Sequence, residues 1–306
     1  MSRRGYVIFV FLGVIWGSSF LLIKVALGQL TPFSLVFIRV IVAAISMGLF
    51  AAMRGGLWRI VRGLSKVEMS AVVGGALCTY ALPYFMITYG ESRISAALAG
   101  MLNSTTPLFT VLLTPLFIRS RSSSSRTYLG IVTGLLGVVV VLEPWRSLGG
   151  MTAIGYDLIV LLASALYGIG IILQKRFLLP SGMTLVQIAA LQLGISSFLY
   201  LIVAISDRSL LSTLRMDKGV MFSIVLGVVN TAVAGLLSLS LTRLVTPALS
   251  SSVTYLIAIV AVAAGFIFLA EPISFTFLAG SVVTFLGLYV LNFSTKATTS
   301  SNLTDQ

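Results

Sequence analysis

The sequence predicts an all-α membrane protein of ten transmembrane helices, arranged as two inverted five-helix repeats. Composition, the length of the apolar blocks and an internal duplication carry that expectation. Of 306 residues, 58% are hydrophobic and 9% charged, and the mean hydropathy is +1.09. Charged residues make up about a quarter of an ordinary globular chain, so a water-soluble fold could not cover this much apolar surface. In lipid every backbone N–H and C=O needs an internal partner, which restricts the spans to helices or a closed barrel. The apolar blocks run for ~20 residues without strict alternation, which suits helices crossing a ~30 Å hydrocarbon core. Barrel strands would be about half as long and alternating.

Ten helices are expected in order: Val7–Leu27, Phe33–Met53, Met69–Tyr89, Ile94–Ile118, Thr127–Leu142, Gly155–Phe177, Thr184–Ile205, Gly219–Leu241, Ala248–Ala270 and Ser274–Phe293. The fifth is short and is expected to extend at one end. Short connections make successive helices antiparallel neighbours. Arg3-Arg4 before an apolar run resembles a signal peptide. The run is too long for one and nine further spans come after it, so an uncleaved first helix is expected. The polar stretch 297–306 is expected to be a disordered cytoplasmic tail.

Charge sets the orientation. With the N-terminus inside, the cytoplasmic segments hold Arg3, Arg4, Arg54, Arg59, Arg62, Lys66, Arg119, Arg121, Arg126, Lys175, Arg176, Arg243 and Lys296. The outer segments hold only Arg93, Arg146, Arg208, Arg215 and Lys218. This is the positive-inside bias, and it puts both termini in the cytoplasm of a cell (inner, plasma) membrane protein. The net charge of +12 is therefore an orientation signal rather than a nucleic-acid surface.

The halves align at an offset of 150 to 151 residues. Trp16-Gly17 through Lys24 matches Tyr167-Gly168 through Lys175, Ala97-Leu98 matches Ala248-Leu249, and Gly130 and Gly137 match Gly280 and Gly287. Matches in order at one offset point to duplication. Five helices per unit, an odd number, would invert the second copy, as in secondary transporters with a midplane site between repeats. The repeats are expected at 1–145 and 146–296.

Several function classes lose support. Histidine is absent and Cys78 is the only cysteine, so no metal cluster, cofactor site or nucleophile–base pair is evident. A serine–lysine pair is the only enzymatic possibility, and no motif supports it. No phosphate-binding G-x-x-x-x-G-K-[ST] loop occurs. The acidic residues fall in loops, in the tail or, for Asp157, just inside a helix end. Lacking a midplane acid, the chain is expected to act by facilitated transport or exchange, or by coupling through Asp157. A channel or a non-transporting assembly subunit are the other readings.

Specific runs carry a family resemblance. Trp16-Gly17-Ser18-Ser19-Phe20 through Lys24, Pro32 through Arg39, Ser95 through Thr110, and Glu271-Pro272 followed by Gly280 and Gly287 resemble the EamA-type members of the drug/metabolite transporter superfamily. The resemblance covers nearly the whole chain. It implies two inverted five-helix repeats and export or exchange of amino acids, their derivatives, or other metabolites and drugs. It also implies a cavity lined by the first, third, fourth and sixth helices with the eighth and ninth. The loop after the fourth helix departs from the family. It reads Arg119-Ser120-Arg121-Ser122 where an acid matching Glu271 is usual.

On those helices, depth singles out Trp16, Tyr80, Asn103, Tyr167, Asn230 and Tyr255 as substrate-binding candidates. A polar or aromatic-polar group at the midplane needs a partner, water or a ligand; interhelical hydrogen bonding is the plain alternative. Lys24 and Arg39 are charges within spans, so they are candidates for an outer vestibule or gate, with snorkelling to headgroups as the alternative. Gln174, beside Lys175 near the inner face, is taken as the inverted counterpart of that outer gate, and Asp157 as a mouth residue. Pro83, Pro107 and Pro115 are expected to kink the third and fourth helices. Gly130, Gly134 and Gly137 are expected to form a close helix contact. Expected partners are a small-molecule substrate and the bilayer; a homodimer is compatible with the sequence.

Overall fold

The computed structural model describes residues 1–53, 63–118, 125–142, 151–206 and 217–304, and no strand occurs among them. The helices are α1 (Arg3–Ala26), α2 (Pro32–Met53), α3 (Lys66–Glu91), α4 (Ala96–Phe117) and α5 (Ser125–Leu142). They continue with α6 (Met151–Leu173, extended by a π-helical turn at Gln174–Leu178), α7 (Leu185–Ser206), α8 (Lys218–Leu244), α9 (Pro247–Leu269) and α10 (Phe275–Thr304). Eight are long and apolar enough to cross a membrane; α5 and α10 contribute shorter apolar stretches, Tyr128–Leu142 and Phe275–Gly287. The protein is a multi-pass membrane protein.

The boundaries lie within a few residues of expectation, and α5 does extend at its start. Two differences matter. α3 runs to Glu91, two residues past the expected end. α10 continues as a helix to Thr304, through the polar stretch 297–304. Arg54, Arg59, Arg62, Arg119, Arg121, Arg146, Arg208 and Arg215 lie outside the described residues.

The outward faces carry Phe11, Leu49, Leu116, Phe198, Ile205 and Phe268, each more than half exposed. In water such a belt would be a large apolar patch; against acyl chains it is the matched surface. Inward, small residues let backbones approach. A Cβ added at Gly13 or Gly17 of α1 would come within 2.7 Å of Leu256 or Val260 on α9. On the α5–α10 pair, a Cβ at Gly280 would lie 2.7 Å from the Val141 nitrogen, and one at Gly287 would lie 2.8 Å from the Gly130 oxygen. The expected glycine face on α5 is thus an interhelical contact, with α10 as its partner.

Four helices are irregular in mid-span. α3 contains a π-helical segment at Leu77–Ala81, and α8 contains one at Val228–Val233. α4 breaks after Asn103 and restarts at Thr106; α9 breaks after Ser251 and restarts at Val253. Two of the expected prolines sit at these places. Pro83 follows the π segment of α3, and Pro107 opens the second half of α4, while Pro115 lies inside its continuous run. Proline has no N–H to give the carbonyl four residues back; at Pro107 the Thr106 hydroxyl donates to that Asn103 oxygen instead, at 2.8 Å. Irregular backbone at membrane depth is tolerated where it is enclosed by protein or lines a cavity, and these interruptions surround one.

Candidate functional site

A cavity of about 70 Å³ lies between α1, α3, α4, α6, α8 and α9, with one side chain reaching in from α2. At ~10–15 Å³ per water centre that is room for on the order of five waters. α1 contributes Trp16, Ser19, Phe20 and Ile23, and α3 contributes Thr79, Tyr84 and Ile87. Asn103 and Thr106 of α4, Tyr167 and Gln174 of α6, Ser238 of α8, and Ser250, Ser251 and Thr254 of α9 form the remaining polar wall.

The side chain from α2 is Arg39. It is 4% exposed and lines the cavity, so it does not snorkel: its side chain turns into the bundle. Its Nε donates to Thr231 Oγ1 at 2.8 Å, and its Cζ lies 3.9 Å from the centroid of the Tyr84 ring. Among the described residues these contacts are a hydroxyl and a ring face, not a carboxylate. Tyr84 in turn packs edge-on against Tyr80 and Tyr167, at 5.7 and 6.5 Å between centroids.

Two cavity-lining amides have acceptors without donors. Asn103 Oδ1 and Gln174 Oε1 are buried with no hydrogen-bond partner, while Gln174 Nε2 donates weakly to Thr79 Oγ1 at 3.4 Å. An enclosed acceptor left unmatched costs about 1–3 kcal/mol, so both are open to a donor on a guest molecule.

Of the six substrate-binding candidates, Trp16, Asn103 and Tyr167 reach the cavity. The other three are placed elsewhere. Tyr80 sits behind Tyr84, with its hydroxyl against Gly235. Asn230 is spent on α1: its Nδ2 donates to Ile15 O and to Ser19 Oγ, and its main-chain oxygen accepts from Trp16 Nε1 at 2.9 Å. The π-helical segment makes this possible, because a widened turn frees a carbonyl from the regular ladder. Tyr255 packs against Phe285 on α10, and its hydroxyl is buried without a partner.

The gate candidates divide similarly. Arg39 and Gln174 line the cavity; Lys24 and Asp157 do not. Lys24 neither snorkels nor faces a vestibule. Its Nζ donates to the main-chain oxygens of Glu91 and Ile94, at 2.8 and 2.7 Å, closing the end of α3. Lys175, matched to Lys24 in the sequence, does the same: its Nζ donates to Thr242 O at 2.9 Å and to Arg243 O at 3.3 Å. Each lysine reaches a carbonyl 67 residues further along the chain. Asp157 is 8% exposed on α6, with Oδ1 unpartnered.

Glu91 escaped the sequence reading. It is fully buried, and both carboxylate oxygens lack a hydrogen-bond partner. Glu271, by contrast, is fully used: its two oxygens accept from Ala96 N and Ala97 N, at 2.7 and 2.9 Å, at the start of α4. A carboxylate there meets the positive end of the helix dipole and two orphan donors together.

The comparisons with known proteins agree with this architecture. The sequence profile of the EamA-like transporter family matches twice, at residues 3–143 and 154–293. An "uncharacterized transporter" of Archaeoglobus fulgidus is 28% identical over 90% of this chain and 94% of its own. The "uncharacterized inner membrane transporter YedA" of Escherichia coli K12 is 27% identical over 82% of this chain and 78% of its own. A Salmonella typhimurium protein named "probable amino-acid metabolite efflux pump" is 26% identical over 95% of each. A crystal structure 18% identical to this chain superposes with a TM-score of 0.64, covering 95% of this chain and 96% of that one.

Proposed function

The chain belongs to the EamA-like transporter family, and we infer that it moves a small zwitterionic metabolite, an amino acid or a derivative, across the cytoplasmic membrane by alternating access. One observation carries this: a buried guanidinium with no carboxylate partner shares a small cavity with two donor-less amide oxygens. Arg39 is the complement of a carboxylate, and Asn103 Oδ1 with Gln174 Oε1 is the complement of an ammonium. Trp16, Tyr84 and Tyr167 supply the ring surfaces between them. The cavity volume favours a cargo of few heavy atoms, and the name of the Salmonella relative points to the same class.

The two halves, 1–145 and 146–296, act as inverted five-helix repeats in this reading, with both termini in the cytoplasm. Four features recur at an offset of 151 residues and support it. Lys24 and Lys175 clasp carbonyls at opposite ends of the bundle; π segments begin at Leu77 and Val228; Ser95 and Thr246 cap the starts of α4 and α9; and Glu91 corresponds to Thr242 as a lysine acceptor. Equivalent halves can exchange conformations, so that the cavity faces one side and then the other.

The test is a thermal-shift series on purified protein with amino acids, their amides and their N-acetyl derivatives. Ligand at ~100 times its Kd stabilises by about 2.7 kcal/mol. Amino acids should raise the Tm, and derivatives lacking either charge should not. Equal shifts from decarboxylated amines, or none from any amino acid, would overturn the assignment.

A further inference from the structure

Glu91 lies just beyond the cavity's Ile87, four residues further along α3, at the end of the bundle that faces outward in the proposed orientation. Among the described residues, none of the other charged groups that meet this end bonds the Glu91 carboxylate. Lys24, from α1, gives its ammonium to the main-chain oxygens of Glu91 and Ile94. Glu271, from the α9–α10 connection, gives both oxygens to the start of α4. Arg39, from α2, is held by Thr231 and Tyr84. α6 packs along this stretch of α3 and brings Tyr156, whose ring stacks near Tyr89, and Asp157; Arg93 points outward from the α3–α4 turn. Of these groups Glu91 alone has no partner for either oxygen among the described residues, and Thr88 Oγ1, one turn earlier on the same face, is also buried and unpartnered there.

We propose that Glu91 is a proton-binding site at the closed outer end of the cavity, loaded as that end shuts and unloaded as it opens, so that the pH of the outer solution sets how readily that end opens. A carboxylate enclosed without donors costs several kcal/mol. A proton removes the charge and supplies a donor for a neighbouring oxygen such as Thr88 Oγ1. The proton comes from water of the outer solution while that end is open and returns to water when the carboxyl is exposed again; no other bond changes. Opening parts α1 from α3, which releases the Lys24 ammonium from its two carbonyls. The inference rests on the transporter reading.

Two measurements test it. Infrared spectra of the protein in lipid, taken across a pH series, should contain a titrating carboxylic-acid C=O band. Glu91→Gln should abolish the band, Glu91→Asp should displace it, and Asp157→Asn should leave it. A band that survives Glu91→Gln, or is lost only in Asp157→Asn, overturns the proposal. In proteoliposomes supplied with a mixture of radiolabelled proteinogenic amino acids, counterflow is measured at a low and a high pH, the same on both sides each time. The ratio of the two rates should differ from one by roughly fivefold or more in the unmutated protein, on the scale of ordinary site–site coupling, and should lie near one in Glu91→Gln; the same ratio in both overturns the pH-set closure. Should the unmutated protein show no counterflow, the amino-acid reading fails, and the infrared series still decides whether Glu91 holds the proton.

Discussion

The guanidinium of Arg39 rests 3.9 Å above the ring of Tyr84 while its Nε is bonded to Thr231. A fixed cation on an aromatic face, with the rest of its fork turned toward a cavity, is a preorganised receptor for a planar anion.

Arg39→Ala should therefore weaken binding of the stabilising amino acid by roughly 10- to 100-fold, since hydrogen bonds to charged groups contribute about 1.5–3 kcal/mol. Arg39→Lys should recover only part, because an ammonium cannot bond Thr231, stack and hold a carboxylate together. Tyr84→Phe keeps the ring and should change affinity by less than about threefold. Isothermal titration reads all three; unchanged affinity in Arg39→Ala removes the carboxylate site.

Lys24→Met and Lys175→Met should shift the resting conformation in opposite senses. Each deletes a clasp between a lysine and main-chain carbonyls, at opposite ends. Charge-assisted bonds contribute about 1.5–3 kcal/mol each, enough to change an open population severalfold. In a Cys78→Ala background, an impermeant maleimide should label Ile87→Cys faster after Lys24→Met, and Ser238→Cys faster after Lys175→Met. Changes in the same sense would break the inverted relation.

Gly280→Ala and Gly287→Ala should each lower stability by about 1–3 kcal/mol, since a methyl there drives into α5 backbone. Gly194→Ala on α7 is the control: nothing lies within 4 Å of its Cβ position, so the helix should gain up to about 1 kcal/mol. Thermal unfolding in detergent reads the difference, and similar losses at all three positions would count against a specific α5–α10 contact.

Glu271→Ala should cost more than Glu271→Gln. Alanine strands the Ala96 and Ala97 donors, whereas the glutamine oxygen still accepts from one of them. A loss of about 1–3 kcal/mol is expected for alanine, read as the fall in Tm. Equal effects would mean that the carboxylate acts through its charge alone.

The spans were legible because an apolar run long enough for a bilayer is a local signal. The site was legible only in depth. Trp16, Asn103 and Tyr167 were found because the number of residues from a helix end gives height directly. Angle around the helix is another matter. Each extra residue in a π segment rotates the rest of the helix by about 100°, and both Tyr80 and Asn230 sit within such segments. Hence Tyr84 and Thr79 face the cavity and Tyr80 does not, while Asn230 turns to α1. Glu91 was missed for a plainer reason. Ending the third helix at Tyr89 left it in a loop, and only the folded chain shows it enclosed. Lys24 and Arg39 stood out as charges in spans, but their partners lie 67 and 192 residues away, beyond any local pattern.

The broken helices α4 and α9 have a consequence for handedness. Thr106, Ser251 and Thr254 direct their hydroxyl protons onto carbonyls of their own helices, and Ser19 does likewise on α1. The lone pairs of Thr106, Ser251 and Thr254 are what remain to meet a guest, since Ser19 Oγ already accepts from Asn230. One flank of the chamber is thus electron-rich and the opposite pole is the single guanidinium. A molecule with one acidic and one basic end has a preferred way round between them, and a third contact with the Trp16 and Tyr167 rings completes the three points needed to tell an isomer from its mirror image.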